Sequence, residues 1–252
     1  MVSRLKNAAL PLSSLIAFTL LWQLAARQYP PEQFPAPSDV VRAIMELAEM
    51  GTLWSHMGIS LARFGTAYLL AVSAGVPLGL FLGRFIPCHK AVDPLIQVLR
   101  PISPIAWFPL AVLWFGIGNA PAVFIIFLAS FFPVLLSTIS AVRGVPPVYL
   151  KVAGNFGANA GMTFVRVIVP AAFPGIMVGL HIAVGTGWIH LVAGEMLGAQ
   201  SGLGFMIVDA RNFLRTDQIM AGMLLIGLLG LAIYRGMKLL EQVLGRRWGV
   251  IQ

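Results

Sequence analysis

Residues 100–143 read RPISPIAWFPLAVLWFGIGNAPAVFIIFLASFFPVLLSTISAVR. Between the two arginines stand 42 residues without Asp, Glu, Lys or Arg, about twice the ~20 apolar residues that carry a helix across ~30 Å of hydrocarbon. The run is interrupted by Gly116, Gly118, Asn119 and Pro121, a cluster suited to a tight turn. The stretch therefore predicts two membrane spans joined by a hinge.

The composition of the whole chain agrees. Of 252 residues, 58% are hydrophobic and 10% charged, with a mean hydropathy of +0.87, whereas a soluble domain carries about 25% charged residues. A water-soluble globule and a disordered chain are both excluded. The single Cys88 excludes an intramolecular disulfide framework and any cysteine cluster for a metal. Further uncharged stretches lie at 8–26, 64–83 and 167–194, and one at 218–234 is extended by snorkelling of Arg235 and Lys238. The expectation is an all-α polytopic membrane protein of six transmembrane helices, a single transmembrane domain over residues 1–252. Although Arg4 and Lys6 precede the first stretch, its apolar run exceeds the ~7–15 residues of a signal-peptide core, so it is read as a retained helix.

The net charge of +8 is a matter of topology. With both termini cytoplasmic, the inner side holds Arg4, Lys6, Arg84, Lys90, Arg143, Lys151, Arg166, Arg235, Lys238, Arg246 and Arg247. The outer side holds only Arg27, Arg42, Arg63, Arg211 and Arg215, together with six of the nine acids, and Arg100 is left within the membrane. The positive-inside rule is met. The lipid bilayer explains the basic balance, and nucleic acid is not an expected partner.

Two segments outside the spans are organised. Residues 38–50 predict an amphipathic helix with Ser38 as N-cap, Val41, Ile44, Met45 and Ala48 on its apolar face and Asp39, Arg42, Glu46 and Glu49 on the other. Residues 145–174, VPPVYLKVAGNFGANAGMTFVRVIVPAAFP, form the cytoplasmic loop between spans four and five. There Pro146 and Pro147 open a helix, Gly157 ends it in a left-handed cap, and Asn159 starts a second short helix running to Pro170. A helix, glycine turn and helix make either a knob for another protein or a simple connector.

The spacing of Ala153, Gly157, Ile168 and Pro170 resembles the "EAA" coupling loop of permease subunits of bacterial ATP-binding-cassette importers. The stretches LRPISPIAWFPLAVLWFGIG (99–118), GLHIAVGTGWIHLVAGEM (179–196) and GLGFMIVDARNFLRTD (202–217) look like the nitrate, sulfonate, taurine and bicarbonate branch. Nearly the whole chain is covered, with the motifs in order. Two positions depart from the pattern: Lys151 replaces the acidic first residue of the loop motif, and His181 replaces the usual Arg of a G-L-R-I-A stretch. The resemblance implies a homodimer, two cytoplasmic ATP-binding subunits coupled through Lys151, Ala153, Gly157 and Pro170, and an extracytoplasmic binding protein that delivers substrate. The residues agree on the energy source. No Gly-Lys pair occurs, so the phosphate loop G-x-x-x-x-G-K-[ST] is absent and hydrolysis of ATP falls to a partner, an absence that fits a secondary transporter equally well.

Charges inside hydrocarbon are costly, which makes Arg100 and Glu195 candidates for the translocation pathway. For Arg100 the alternative is snorkelling to the inner headgroups, and for Glu195 it is capping near the outer end of span five. His181, Trp188 and Glu195 are spaced by seven, so on a helix each drifts only ~20° from the last and the three share one stripe, a conduit or a packing seam. His190, nine residues from His181, faces the opposite way, which removes the two histidines as a metal pair. No catalytic constellation, metal or cofactor is expected. The function expected is import of a small oxyanion (sulfonate, nitrate or bicarbonate class) by alternating access. A stand-alone secondary transporter is the alternative, although no inverted halves are visible. A membrane enzyme is a weaker one, since its four histidines, His56, His89, His181 and His190, are scattered.

Overall fold

The computed structural model describes residues 2–247, with side chains described for 12–245; the expected cytoplasmic cations Arg4, Lys6, Arg246 and Arg247 lie outside the described side chains. The described residues fold as helices: α1 (Val2–Ala26), α2 (Pro37–Glu49), α3 (Thr52–Arg84), α4 (Ile86–Leu99), a 3-10 turn (Pro104–Trp107), α5 (Phe108–Phe115), α6 (Asn119–Arg143), α7 (Pro147–Asn155), α8 (Ala160–Thr163), α9 (Val169–Gly198), α10 (Leu203–Asn212) and α11 (Thr216–Arg247). Among the described residues, four helical stretches are long and apolar enough to cross a membrane: Thr52–Arg84, Asn119–Arg143, Ala160–Gly198 and Thr216–Gly245. A bent pair brings the count to five, and the described part of the first expected span, Leu12–Ala26, is a shorter apolar helix.

At the centre stands α6, gripped from both sides through glycines. Gly75, Gly79 and Gly83 of α3 face Val134, Thr138 and Val142, so the two helices run parallel, and a Cβ at Gly79 would come within 2.6 Å of Thr138 Cβ. On the other side Gly175, Gly179, Gly187 and Gly194 of α9 face Ala141, Ser137, Ser130 and Ala122, so α9 runs antiparallel to α6. Helices surrounded by lipid gain little from burying apolar surface against each other, so close backbone approach between small residues supplies the van der Waals contact that holds them. Two hydroxyls of this seam are satisfied internally: Ser130 Oγ donates to the Ala183 carbonyl and Thr138 Oγ1 to that of Val134.

The expected third span is broken. After α4 the chain bends by 84° before Pro104–Phe115. Pro101 has no amide to continue the helix, and Ser103, ahead of Pro104, is pushed to an extended conformation (φ −55°, ψ 130°). The expected hinge follows, with Gly116 (φ 73°) and Gly118 (φ 147°) turning the chain into α6.

Two local expectations are corrected. The helix at 38–50 begins at Pro37 after Ala36 rather than at a Ser38 cap, and it buries Val40, Ala43 and Leu47 while Val41 and Met45 are exposed. Its inner face is turned by one residue, because Val40 and Ala43 pack on Ala221 of α11 and Trp22 of α1. The second helix of the cytoplasmic loop does not stop at Pro170. Ala160–Gly198 is continuous, and a π-helical segment, Phe164–Ile168, just precedes Pro170. The wider π turn changes the hydrogen-bond register where the proline ring and missing amide would break an α-helix.

Candidate functional site

Three places gather the polar chemistry. The first lies where α3, the start of α6, the end of α9 and the start of α10 meet. Arg63 and Glu195 are both buried and form an ion pair, Nη1 to Oε1, of 2.8 Å. The Glu195 carboxylate also accepts from Ser60 Oγ and from the Gly204 amide (2.9 Å) at the start of α10. Arg63 donates as well to the side-chain oxygen of Asn119 and to the carbonyl and hydroxyl of Ser201. The connection from α9 to α10 is thereby wrapped around the pair: the Gly202 amide donates to His56 Nδ1 and that of Leu203 to Ser60 Oγ. Gly202 (φ 105°) leaves no room for a Cβ, which would overlap the Glu195 carboxylate. Buried charges persist in low dielectric only when paired and fully hydrogen-bonded, and both conditions hold here.

Sequence reasoning left Arg63 in an outer loop. The structure places it inside α3, which begins at Thr52, more than two turns before the expected start of that span. Seven residues back from Glu195, Trp188 packs edge-on against Phe64 (5.4 Å between ring centres) and donates from Nε1 to the Ile226 carbonyl. His181 lies against Tyr234, with Nε2 3.7 Å from Glu241 of α11. The stripe is real as geometry, and its neighbours are α3, α10 and α11 of the same chain.

The second place is on the opposite face of α9. A cleft of about 350 Å³ near the middle of α6 is lined by Arg100, Trp107, Phe132, Ser137, Thr186 and His190, among others. Arg100, the cap of α4 at the bend, has no ion pair among the described residues. His190 holds its Nδ1 2.8 Å from the Thr186 carbonyl. An adjoining cleft of about 590 Å³ shares Arg100 and Leu136 and reaches Asp93 and Gln97 on α4.

The third place is the loop knob. Pro147 opens α7, and the helix closes with the Ala158 amide on the Ala153 carbonyl and the Gly157 amide on that of Gly154, a Schellman cap with Gly157 at φ 72°. Asn159 then caps α8 by accepting from the Met162 amide at 2.8 Å. Ala153 is buried and Lys151 exposed, and Tyr149, Val152 and Phe156 (87% exposed) present an apolar surface. Pro170 lies in the first turn of α9.

A family model described as "Binding-protein-dependent transport system inner membrane component" matches residues 75–250. The chain belongs to this family. It is 35% identical over 243 residues to the taurine transport system permease protein TauC of Escherichia coli, covering 94% of this chain and 88% of that one. It is 36% identical to a putative ABC transporter permease protein of Methanocaldococcus jannaschii (94% and 91% covered). With the nitrate import permease protein NrtB of Leptolyngbya laminosa it shares 35% over 73% of this chain and 66% of that one. Among solved structures, an amino acid ABC transporter with histidines superposes with a TM-score of 0.57 at 18% identity, over 81% of this chain and 97% of that one. An inward-facing MetNI methionine ABC transporter gives 0.56 at 20%, over 75% and 98%. The fold is therefore that of ABC permeases.

This permease is a multi-pass inner-membrane transport subunit rather than an enzyme, and it works with ATP-binding subunits and a substrate-binding protein. The sequence signal that would have found Arg63 is its partner. A carboxylate in a span needs a cation at matching depth, and Arg63 directly precedes the uncharged run 64–83.

Proposed function

We propose that this permease imports a small oxyanion of the sulfonate, nitrate or bicarbonate class. The observation that carries the reading is the cleft near the middle of α6, whose lining includes Arg100 and no acidic residue. Relatives named for taurine and nitrate import, similar over most of the chain, support it. The working unit is a homodimer in which a second copy closes the open side of each cleft, and residues 1–252 act as one permease domain. Both termini face the cytoplasm, where two ATP-binding subunits dock on the coupling loop 145–174 through Lys151, Ala153, Gly157 and Pro170. ATP binding moves that loop, and α9, continuous with it from Ala160, carries the motion to the cleft. Of the pathway candidates, Arg100 faces the solute, while Glu195, Trp188 and His181 hold the wall behind it, with Glu195 as the latch of the outer end.

The test is purification of the tagged chain with its partners, followed by ATP-driven uptake of labelled sulfonate, nitrate and bicarbonate into proteoliposomes supplied with the binding protein. Accumulation of one of the three is expected. Failure to accumulate any of them, by a complex that hydrolyses ATP, would overturn the reading.

A further inference from the structure

The cleft beside the bend has two chemically different ends. Along α6 its lining runs from Leu128 to Ser137, nine residues or ~13 Å at 1.5 Å per residue. Arg100 belongs to the Ser137 end, because the adjoining cleft shares Arg100 and the neighbouring Leu136. At that end the donors are free: neither the Arg100 guanidinium nor the Ser137 hydroxyl has a hydrogen bond among the described residues. His190 belongs to the other end, since α9 runs antiparallel and Thr186 Oγ1 donates to the Ala129 carbonyl at 3.0 Å. A carbonyl only accepts, so the 2.8 Å contact of His190 Nδ1 with the Thr186 carbonyl puts the proton of the neutral ring on Nδ1. Nε2 is then a bare lone pair, an acceptor. Between the ends stand the apolar faces of Phe132 and Ile182, while Trp107 belongs to the His190 end, its ring 6.4 Å from that of Trp114, which in turn packs on Phe124 of α6.

We propose that this cleft is the permease's own binding site for a small organic oxyanion that carries a hydrogen-bond donor remote from its charge. The anionic head sits on Arg100 and Ser137, the carbon stem lies against Phe132 and Ile182, and the solute's O–H or N–H donates to His190 Nε2. At about 350 Å³ the space is near the lower bound of small-ligand sites, ~300–1,000 Å³, which suits a solute of a few heavy atoms. An inorganic anion satisfies only the Arg100 end. Beyond Arg100, Asp93 is held by Gln97 Nε2 at 2.8 Å with His89 3.6 Å away. Its carboxylate repels an anion that has left the guanidinium, so the site has a defined edge on the α4 side.

The proposal rests on the oxyanion reading above and deepens it. Its test uses the intact permease with its ATP-binding subunits in lipid nanodiscs and two probes, 2-hydroxyethanesulfonate and ethanesulfonate, which differ by one hydroxyl. Binding is read by saturation-transfer NMR. One hydrogen bond predicts that the hydroxylated probe binds about threefold to tenfold tighter. His190→Leu should erase that preference and leave ethanesulfonate binding unchanged. Arg100→Gln should weaken both probes at least tenfold, and Arg100→Lys should keep most of the affinity. Should Arg100→Gln fail to co-purify with the ATP-binding subunits, the His190→Leu arm and Ser137→Ala, which removes one head donor, still decide. Equal binding of the two probes by the wild type, or a preference that survives in His190→Leu, overturns the site. The same variants assayed for uptake separate the two claims: a wild type that imports no oxyanion defeats the oxyanion reading, whereas import unchanged in Arg100→Gln and His190→Leu defeats only the site.

Discussion

Arg63 and Glu195 show how much one buried pair can organise. Their side chains are 4% and 0% exposed and their hydrogen bonds tie four elements together, so removing one partner strands the other charge in a low-dielectric seam. Such a loss costs about 3–5 kcal/mol in buried pairs. Arg63→Ala and Glu195→Ala are therefore each expected to lower the thermal midpoint of the purified complex markedly. The double variant should lose less than the two losses added, since no orphan charge remains. Glu195→Gln keeps acceptors for Ser60 and Gly204 and should retain more transport than Glu195→Ala. Additive losses in the double variant would show that the two residues act separately. The pair was half legible beforehand. Glu195 stood out as a charge within a span, but Arg63 did not, because an arginine at the edge of an uncharged run reads equally well as the end of a loop.

Among the elements, the glycine turn of the cytoplasmic loop carries the sharpest expectation. Gly157 adopts φ 72° with no atom near where a Cβ would go, so the position is limited by backbone conformation rather than by space. Gly157→Val places a β-branched residue in the left-handed region and loosens the Schellman cap that points Phe156 outward. Transport and co-purification of the ATP-binding subunits should fall while the amount of permease in the membrane stays normal. Wild-type transport by Gly157→Val would make the loop a passive connector. This turn was readable from its residues, since a left-handed cap is a local requirement that glycine answers. The bend after α4 was not, although its prolines were in view. Proline shows where a helix can break, but the 84° turn depends on the surface of α6 and α9 that receives the broken halves.

For the whole molecule the orientation is the first thing to measure. Cys88 packs half-buried against Leu82, Ile96, Leu135 and Ile139 and is a poor reporter, whereas Phe156 is 87% exposed at the tip of the knob. In a Cys88→Ser background, Phe156→Cys should react with a membrane-impermeant maleimide in inside-out vesicles and not in intact cells. Reaction from the outside would invert the topology and detach the knob from the ATP-binding subunits.

The membrane class, the helical architecture, the hinge at Gly116 and Gly118 and the glycine turn of the knob follow from the chain alone, because they rest on local quantities: runs without charge long enough to cross hydrocarbon, and residues whose backbone preferences act within one turn. Which face of each helix meets which neighbour was decided only in three dimensions. The seven-residue stripe of His181, Trp188 and Glu195 was visible as a periodicity, yet only packing turned it toward α3, α10 and α11 and left His190 to face the cleft with Arg100. Periodicity says that residues share a side. It does not say what lies opposite, since that depends on contacts between segments more than a hundred residues apart, such as Ser60 with Glu195.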